Sequence, residues 1–190
     1  MQEMKRQAFH IAAGMAAAFA IAYGVIGWKG LLLILLSGIA LSFASRKAEL
    51  PVISWFLRHF ERKDAAFPGK GAIFMALSAA IVAAFFEKNI AAAAIAILAA
   101  GDSVSHLAGR MLGKTKHPFN RNKQLEGTII GFLAASSAAL IFVPLNYAIA
   151  ASAVAMAVEG IELKLGKTLV DDNLTIPIVA AFTILVMQLW

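Results

Sequence analysis

Apolar runs recur along this 190-residue chain, each closed by a turn or by charge. A helix crosses a bilayer with about 17–25 apolar residues, each rising roughly 1.5 Å. On that measure the sequence predicts seven spans. The first covers about 8–26, residues 27–30 (GWKG) turn the chain, and the second runs on to 45. The third covers 72–86, the fourth begins at 90, the fifth covers 128–143, the sixth opens over 147–158, and the seventh covers 174–190. Short spans are accommodated by tilt or by their flanks. The fold expected is all-α: a polytopic membrane helical bundle forming one integral-membrane domain over residues 1–190. A hydrophobic content of 61% agrees, since soluble domains carry roughly 45–50%. Nothing of that length leaves room for a separate soluble catalytic domain.

Charge is distributed as a topology signal. With a cytoplasmic N-terminus, that side receives Lys5, Arg6, Arg46, Lys47, Arg58, Arg62, Lys63, Lys70, Arg110, Lys114, Lys116, Arg121, Lys123, Lys164 and Lys167. The opposite side receives only Lys29 and Lys88. Such a bias places the loops at about 46–71, 110–127 and 160–173 in the cytoplasm. The net charge of +6 is thereby accounted for without a nucleic-acid partner. The absence of cysteine excludes disulfides and thiolate–metal chemistry. The basic start followed by an apolar run is also the outline of a signal peptide. Against that reading, His10 stands at the start of the run and no distinct cleavage region follows. There is no convincing internal repeat, and the alanine runs read as tight helix packing.

One polar stretch interrupts the apolar pattern, GDSVSHLAGRMLGKTKHPFNRNKQLEG at 101–127. The fourth span has only eleven apolar residues before it, about 16 Å of helix, too short to cross. The helix is therefore expected to continue through Asp102 to about Leu112, leaving Asp102 past the bilayer midpoint in the cytoplasmic half. An intramembrane carboxylate costs at least about 2.5–3.5 kcal/mol and by default has a partner and a function. His106 follows one turn later. Gly101, Ser105 and Gly109 form a small-residue face suited to close helix packing.

Other polar residues collect at the same face. Between spans two and three, 52–63 puts Val52, Trp55, Phe56 and Phe60 at helical spacing, with Arg58, His59, Arg62 and Lys63 interleaved. This predicts an interfacial amphipathic helix on the inner leaflet, a lid or lipid-access element, although a plain basic loop shares the composition. The following FPGKG at 67–71 is suited to holding a phosphate with backbone N–H groups and Lys70, and equally to a simple loop-to-helix turn. Glu159 lies in the cytoplasmic half of the sixth span, with Glu162 a turn on. Asp171, Asp172 and Asn173 precede the seventh, where capping is an alternative role. Asp102, Glu126, Glu159, Asp171 and Asp172 thus share one face with Lys70, Lys114 and Lys123. Carboxylates able to share Mg²⁺, beside lysines able to offset phosphate charge, are the parts that phosphoryl transfer requires.

These residues carry a resemblance. Gly101-Asp102-Ser103, Gly109-Arg110-Met111-Leu112-Gly113-Lys114 and Asn122-Lys123-Gln124-Leu125-Glu126-Gly127 resemble motifs of the CTP-dependent polyprenol kinase family. That family includes dolichol kinase, phytol kinase and a CTP-dependent diacylglycerol kinase. Glu159 through Asp171-Asp172-Asn173-Leu174-Thr175-Ile176-Pro177 is similar to its C-terminal motif, and Arg6 with His10 to its N-terminal pair. The resemblance implies a multi-pass enzyme that uses CTP and a divalent cation to phosphorylate a membrane alcohol at the cytoplasmic face. Asp102 then belongs to the metal or catalytic centre, with Asp171 and Asp172 as further metal ligands. Gly109, Arg110, Gly113, Lys114, Lys123, Glu126 and Gly127 belong to the nucleotide loop, and Glu159, Asp172 and Asn173 to the second half of the site. His106 and Glu159 are candidate bases beside Asp102. The pattern departs at Lys123-Gln124, where the family has lysine followed by serine or threonine, so no hydroxyl contact is implied there. CDP-diacylglycerol synthase shares a related pattern, which makes cytidylyl transfer to a lipid phosphate the nearest alternative. A transporter or membrane scaffold is a third, and would favour midplane polar groups and inverted repeats.

Overall fold

Helices form where the apolar runs are, with turn and cap residues setting their ends. The computed structural model describes residues 2–61, 65–161, 164–165 and 168–190. Among them are α1 (Gln2–Ala22), α2 (Trp28–Ser45), α3 (Pro51–Phe60), α4 (Lys70–Phe85), α5 (Lys88–Ile97), α6 (Ser103–Leu112), α7 (Leu125–Ala139), α8 (Leu145–Glu159) and α9 (Asp172–Gln188). A π-helical turn, Leu98–Asp102, joins α5 to α6. Two-residue strands, Lys164–Leu165 and Thr168–Leu169, pair antiparallel between α8 and α9. The helical class is as expected.

The seven spans are not all reproduced as crossing-length helices. Among the described residues, two helices are long and apolar enough to cross a membrane, Trp28–Ser45 and the continuous 25-residue Lys88–Leu112. The second bears out the expectation that helix continues through Asp102. Lys70–Phe85, Leu125–Ala139, Leu145–Glu159 and Asp172–Gln188 are apolar but shorter. The reason is geometric: a 15-residue helix such as α7 rises about 22 Å, less than the roughly 30 Å of a hydrocarbon core. The amphipathic helix is present as α3, opened by Pro51 at its first turn. Arg62, Lys63, Glu162 and Lys167 lie outside the described residues, as does the side chain of Lys164.

α5 is the centre of the bundle. Every residue from Ile90 to Ala99 is at most 1% exposed, and α1, α4, α7, α8 and α9 all pack on this helix or its π-turn extension. Alanine at six of those positions removes side-chain bulk and lets neighbouring backbones approach. The outer surface is apolar as well: Leu33, Phe43, Phe85, Leu133 and Phe182 are all more than half exposed. Large apolar side chains turned outward on several helices mark a surface suited to lipid or to another protein.

Candidate active site

The π turn determines where the first site residue stands. Single π turns inside α-helices are often found at functional positions. This one ends at Asp102, which is 7% exposed. His106, one turn on, directs Nδ1 at the Asp102 carbonyl, 3.1 Å away. Its Nδ1 also lies 3.3 Å from Asp102 Oδ1. That approach is close enough for an ion pair with a protonated imidazole, but it lacks hydrogen-bond alignment. Oδ1 is consequently a buried acceptor without a hydrogen-bond donor among the described residues.

Lys123 reaches the same place from a loop folded back on itself. Leu125 N–H donates to Thr115 O at 3.0 Å, and His117 N–H to Lys123 O at 3.0 Å. Between them, Asn120 Oδ1 accepts from Asn122 N–H at 2.9 Å, an Asx turn that reverses the chain. Glu126 accepts from Thr115 N–H at 3.0 Å and fastens the loop to the first turn of α7. The His117 ring lies so close to Gly160 that a β-carbon there would meet it at 2.6 Å, which docks the loop on the end of α8. Lys123 is thereby aimed between two helix ends. Its ammonium donates to the Glu159 carbonyl and to Glu159 Oε1, both at 2.6 Å, and to Asp172 Oδ2 at 3.0 Å. A cation at the C-terminus of α8 and a carboxylate at the N-terminus of α9 both complement the helix dipoles. Burial alone would pull the Lys123 pKa down, but Asp172 and Glu159 outweigh it and hold the amine above the ordinary lysine value.

Asp171 caps α9, its Oδ1 accepting from Asn173 N–H at 3.2 Å and from Asn173 Nδ2 at 2.7 Å. Its other oxygen pairs with Lys70 at 3.1 Å, so the cap role and a site role coexist. Lys70 opens α4 directly after Gly69, whose left-handed backbone (φ 76°) a residue with a side chain would resist. Gly69 N–H donates to the Glu61 carboxylate at the end of α3. Burial pushes the Glu61 carboxyl above the usual glutamate range, while the Gly69 N–H and Arg6 act in the opposite direction.

These elements enclose a cavity of about 660 Å³, within the range of small-ligand sites. Arg6, His10, Lys70, Asp102, His106, Lys123, Asp171, Asp172 and Asn173 line it, far apart in sequence yet gathered in one place. Its apolar part comes from α1 and α3. Phe9 stacks on Phe60 with ring centroids 4.6 Å apart and tilts against Phe56 at 5.8 Å. Glu159 is fully buried and lies behind the lining residues. Gly109, Arg110, Gly113, Lys114, Glu126 and Gly127 do not line the cavity. The glycines instead sit where α6 crosses α7: a β-carbon on Gly127 would meet Ser105 O at 2.5 Å and Gly109 Cα at 2.9 Å. Gln124 packs against Gly109 and Gly113, so the Lys123-Gln124 departure falls outside the cavity. Gln7, Phe9, Glu61 and Asn120 also line it and were not singled out from sequence, while Asn122 stood there only as the first residue of the 122–127 motif.

The donor set suits a divalent cation. Asp102, His106 and Glu159 each place a ligand atom within 4.8 Å of the others. Glu159 Oε2, like Asp102 Oδ1, is buried without a hydrogen-bond partner among the described residues. Two buried carboxylate oxygens without hydrogen-bond donors, one of them 3.3 Å from the His106 imidazole, are a costly arrangement that a divalent cation relieves.

The chain is thus an apolar helical bundle built around a buried carboxylate–lysine centre, beside a cavity lined by charged side chains and by Phe9, Phe56 and Phe60. No family profile and no solved structure matches the chain. It is 33% identical over 191 residues to the uncharacterized protein MJ1137 of Methanocaldococcus jannaschii, covering 97% of this chain and 93% of that one. The chain belongs to the family of that archaeal protein. It is also 31% identical over 140 residues to the chloroplastic farnesol kinase of Arabidopsis thaliana, and 30% identical over 122 residues to probable phytol kinase 2 of Oryza sativa. These matches cover 65% and 57% of this chain. The chain spans 44% and 40% of the lengths of the two plant proteins.

Proposed function

We propose that the chain is an isoprenoid-alcohol kinase, a multi-pass membrane enzyme that transfers the γ-phosphate of CTP to a lipid hydroxyl at the cytoplasmic face. The observation that carries this reading is the cavity itself. Asp102, His106, Lys123 and Asp172 meet there with the aromatic side chains of Phe9, Phe56 and Phe60. An amphipathic α3 lying in the interface delivers the alcohol along the aromatic side, so its tail stays in lipid while its hydroxyl meets the charged side. The outward-facing apolar side chains and the inner-side excess of lysine and arginine support a bundle of about seven tilted or flank-extended spans with a cytoplasmic N-terminus. The kinship with farnesol and phytol kinases supports a long isoprenoid acceptor.

Asp102 and Glu159, with His106, would hold a divalent cation, which when bound neutralises charge on the transferring phosphoryl group. Asp171 and Asp172 engage Lys70 and Lys123, and through those lysines set the charge of the site. Lys70 and Arg6 face the cavity and meet the nucleotide's phosphates. The Asp102 carboxylate oxygen that the ion does not engage takes the hydroxyl proton as the alcohol oxygen bonds to the γ-phosphorus and the bond to CDP breaks. A loose transition state asks little of that base, so positioning carries most of the rate.

The test is a product assay. Purified protein in detergent is given Mg²⁺, γ-labelled CTP and a panel of farnesol, phytol, longer polyprenols, diacylglycerol and phosphatidic acid. Label in an organic-soluble lipid phosphate with CDP released is expected, and Asp102→Asn and Lys123→Ala should each abolish it while the protein stays folded. Pyrophosphate release with an unlabelled CDP-lipid would replace the kinase reading with cytidylyl transfer. Transfer to no lipid at all would end both.

A further inference from the structure

A lysine ammonium carries three N–H donors, and on Lys123 three oxygens take them: the Glu159 carbonyl, Glu159 Oε1 and Asp172 Oδ2. Its capacity is filled by the protein. In this geometry it is not a hand held out to a ligand, although it borders the cavity. It sits instead as a cation shared by two carboxylates, the place one ion of a two-metal phosphoryl-transfer site would occupy. On the other side of Glu159 lie the unmatched oxygens, Glu159 Oε2 and Asp102 Oδ1, with His106 in the same cluster. Three carboxylates (Asp102, Glu159 and Asp172) stand against one ammonium, which leaves two negative charges. One divalent ion neutralises that remainder. A second would leave a buried positive excess, at a cost that low-dielectric surroundings magnify.

We propose that Lys123 serves as a built-in second cation, so that this site takes a single divalent metal ion, on Asp102, Glu159 and His106. Lys123 is then a positioning residue that holds the end of α8 to the start of α9 and sets metal stoichiometry. The purpose of the ion rests on the kinase reading; its coordination and number do not. An imidazole among the ligands makes Mn²⁺ a suitable probe, since nitrogen donors are poor partners for Mg²⁺.

The experiment counts Mn²⁺ bound to the full chain in detergent by electron paramagnetic resonance titration, without nucleotide or lipid. Wild type is expected to bind one ion per chain, and Asp102→Asn to lose it. Lys123→Met leaves Glu159 and Asp172 without their cation and halves the positive excess that a second ion would create, so it should bind two, while Lys123→Arg should still bind one. Two ions or none on the wild type would overturn the proposal, as would a folded Lys123→Met that binds only one. Should Lys123→Met fail to fold, Asp172→Asn decides. One retained Mn²⁺ supports the assignment, and its loss would put the ion on Asp172 and overturn it. The product assay separates the two readings: a working kinase with two Mn²⁺ sinks only the stoichiometry, and one Mn²⁺ without transfer to any alcohol sinks only the kinase.

Discussion

Replacing Gly127 by alanine should cost both stability and turnover, for a reason visible at the α6–α7 crossing. The added β-carbon would stand 2.5 Å from Ser105 O, 2.9 Å from Gly109 Cα and 3.0 Å from Gly109 N. All three are backbone atoms, so no side chain can rotate away. Comfortable carbon contacts lie at about 3.5–4.0 Å, and the helices must therefore part locally by roughly an ångström. Overpacking of this kind costs about 1–3 kcal/mol. At about 2–4 °C per kcal/mol for a chain of this size, the melting temperature should fall by roughly 2–12 °C. α6 also carries His106 and follows directly on Asp102, and a displacement of that order at reacting groups costs on the order of 100-fold in rate. Thermal unfolding in detergent and turnover at saturating CTP and alcohol measure the two effects. Gly27→Ala is the control, because nothing lies within 4 Å of a β-carbon there and its backbone is extended; it should match wild type. A Gly127→Ala protein that melts like wild type but shows a raised KM for CTP alone would refute the packing argument and make this glycine a phosphate contact.

The aromatic side of the cavity should control the lipid and not the nucleotide. Phe60→Ala removes the stack on Phe9 that forms the aromatic wall, and such pairs contribute about 0.5–1.5 kcal/mol to the fold; the KM for the alcohol should rise with the KM for CTP unchanged, measured by varying each in turn. Lys123 has its folded-state pKa raised, with Asp172 and Glu159 outweighing burial, so its contribution to stability is complete below the ordinary lysine value of about 10.4 and is lost as pH rises through the higher folded value. Alkaline melting curves should show that loss in wild type and not in Lys123→Met. Glu61 is an acid with a raised folded-state pKa, chiefly through burial, so its contribution is complete below about 4.3 and falls away as pH rises through the folded value. Glu61→Gln should therefore melt no lower than wild type at neutral pH, and a clear drop would mean that its charge opposite Arg6 stabilises the fold.

What the sequence disclosed depended on whether a residue's role was set by cost or by geometry. Asp102 was legible because an eleven-residue apolar run is too short to cross, which draws the carboxylate after it into the membrane at a cost. The same reasoning found Glu159, and the helix through 88–112 had to be continuous for length alone. The π turn that aims Asp102 was not legible, since Leu98–Asp102 has no composition that separates it from ordinary helix. Helix length was not legible for a related reason: an apolar run shows where helix is favourable, whereas packing on α5 determines how much of each run becomes helix and how much becomes turn. Lys123 shows the limit most clearly. Its charge and its neighbours in sequence read as a phosphate ligand, and only the Asx turn at Asn120 and the docking of His117 on Gly160 reveal that its three donors are spent on the protein. Glu126 and Gly127 divide in the same way. Their spacing from Lys123 is regular because it ties down a loop and lets two helices touch, so a pattern shared through a motif carries the scaffold of the site as well as its chemistry.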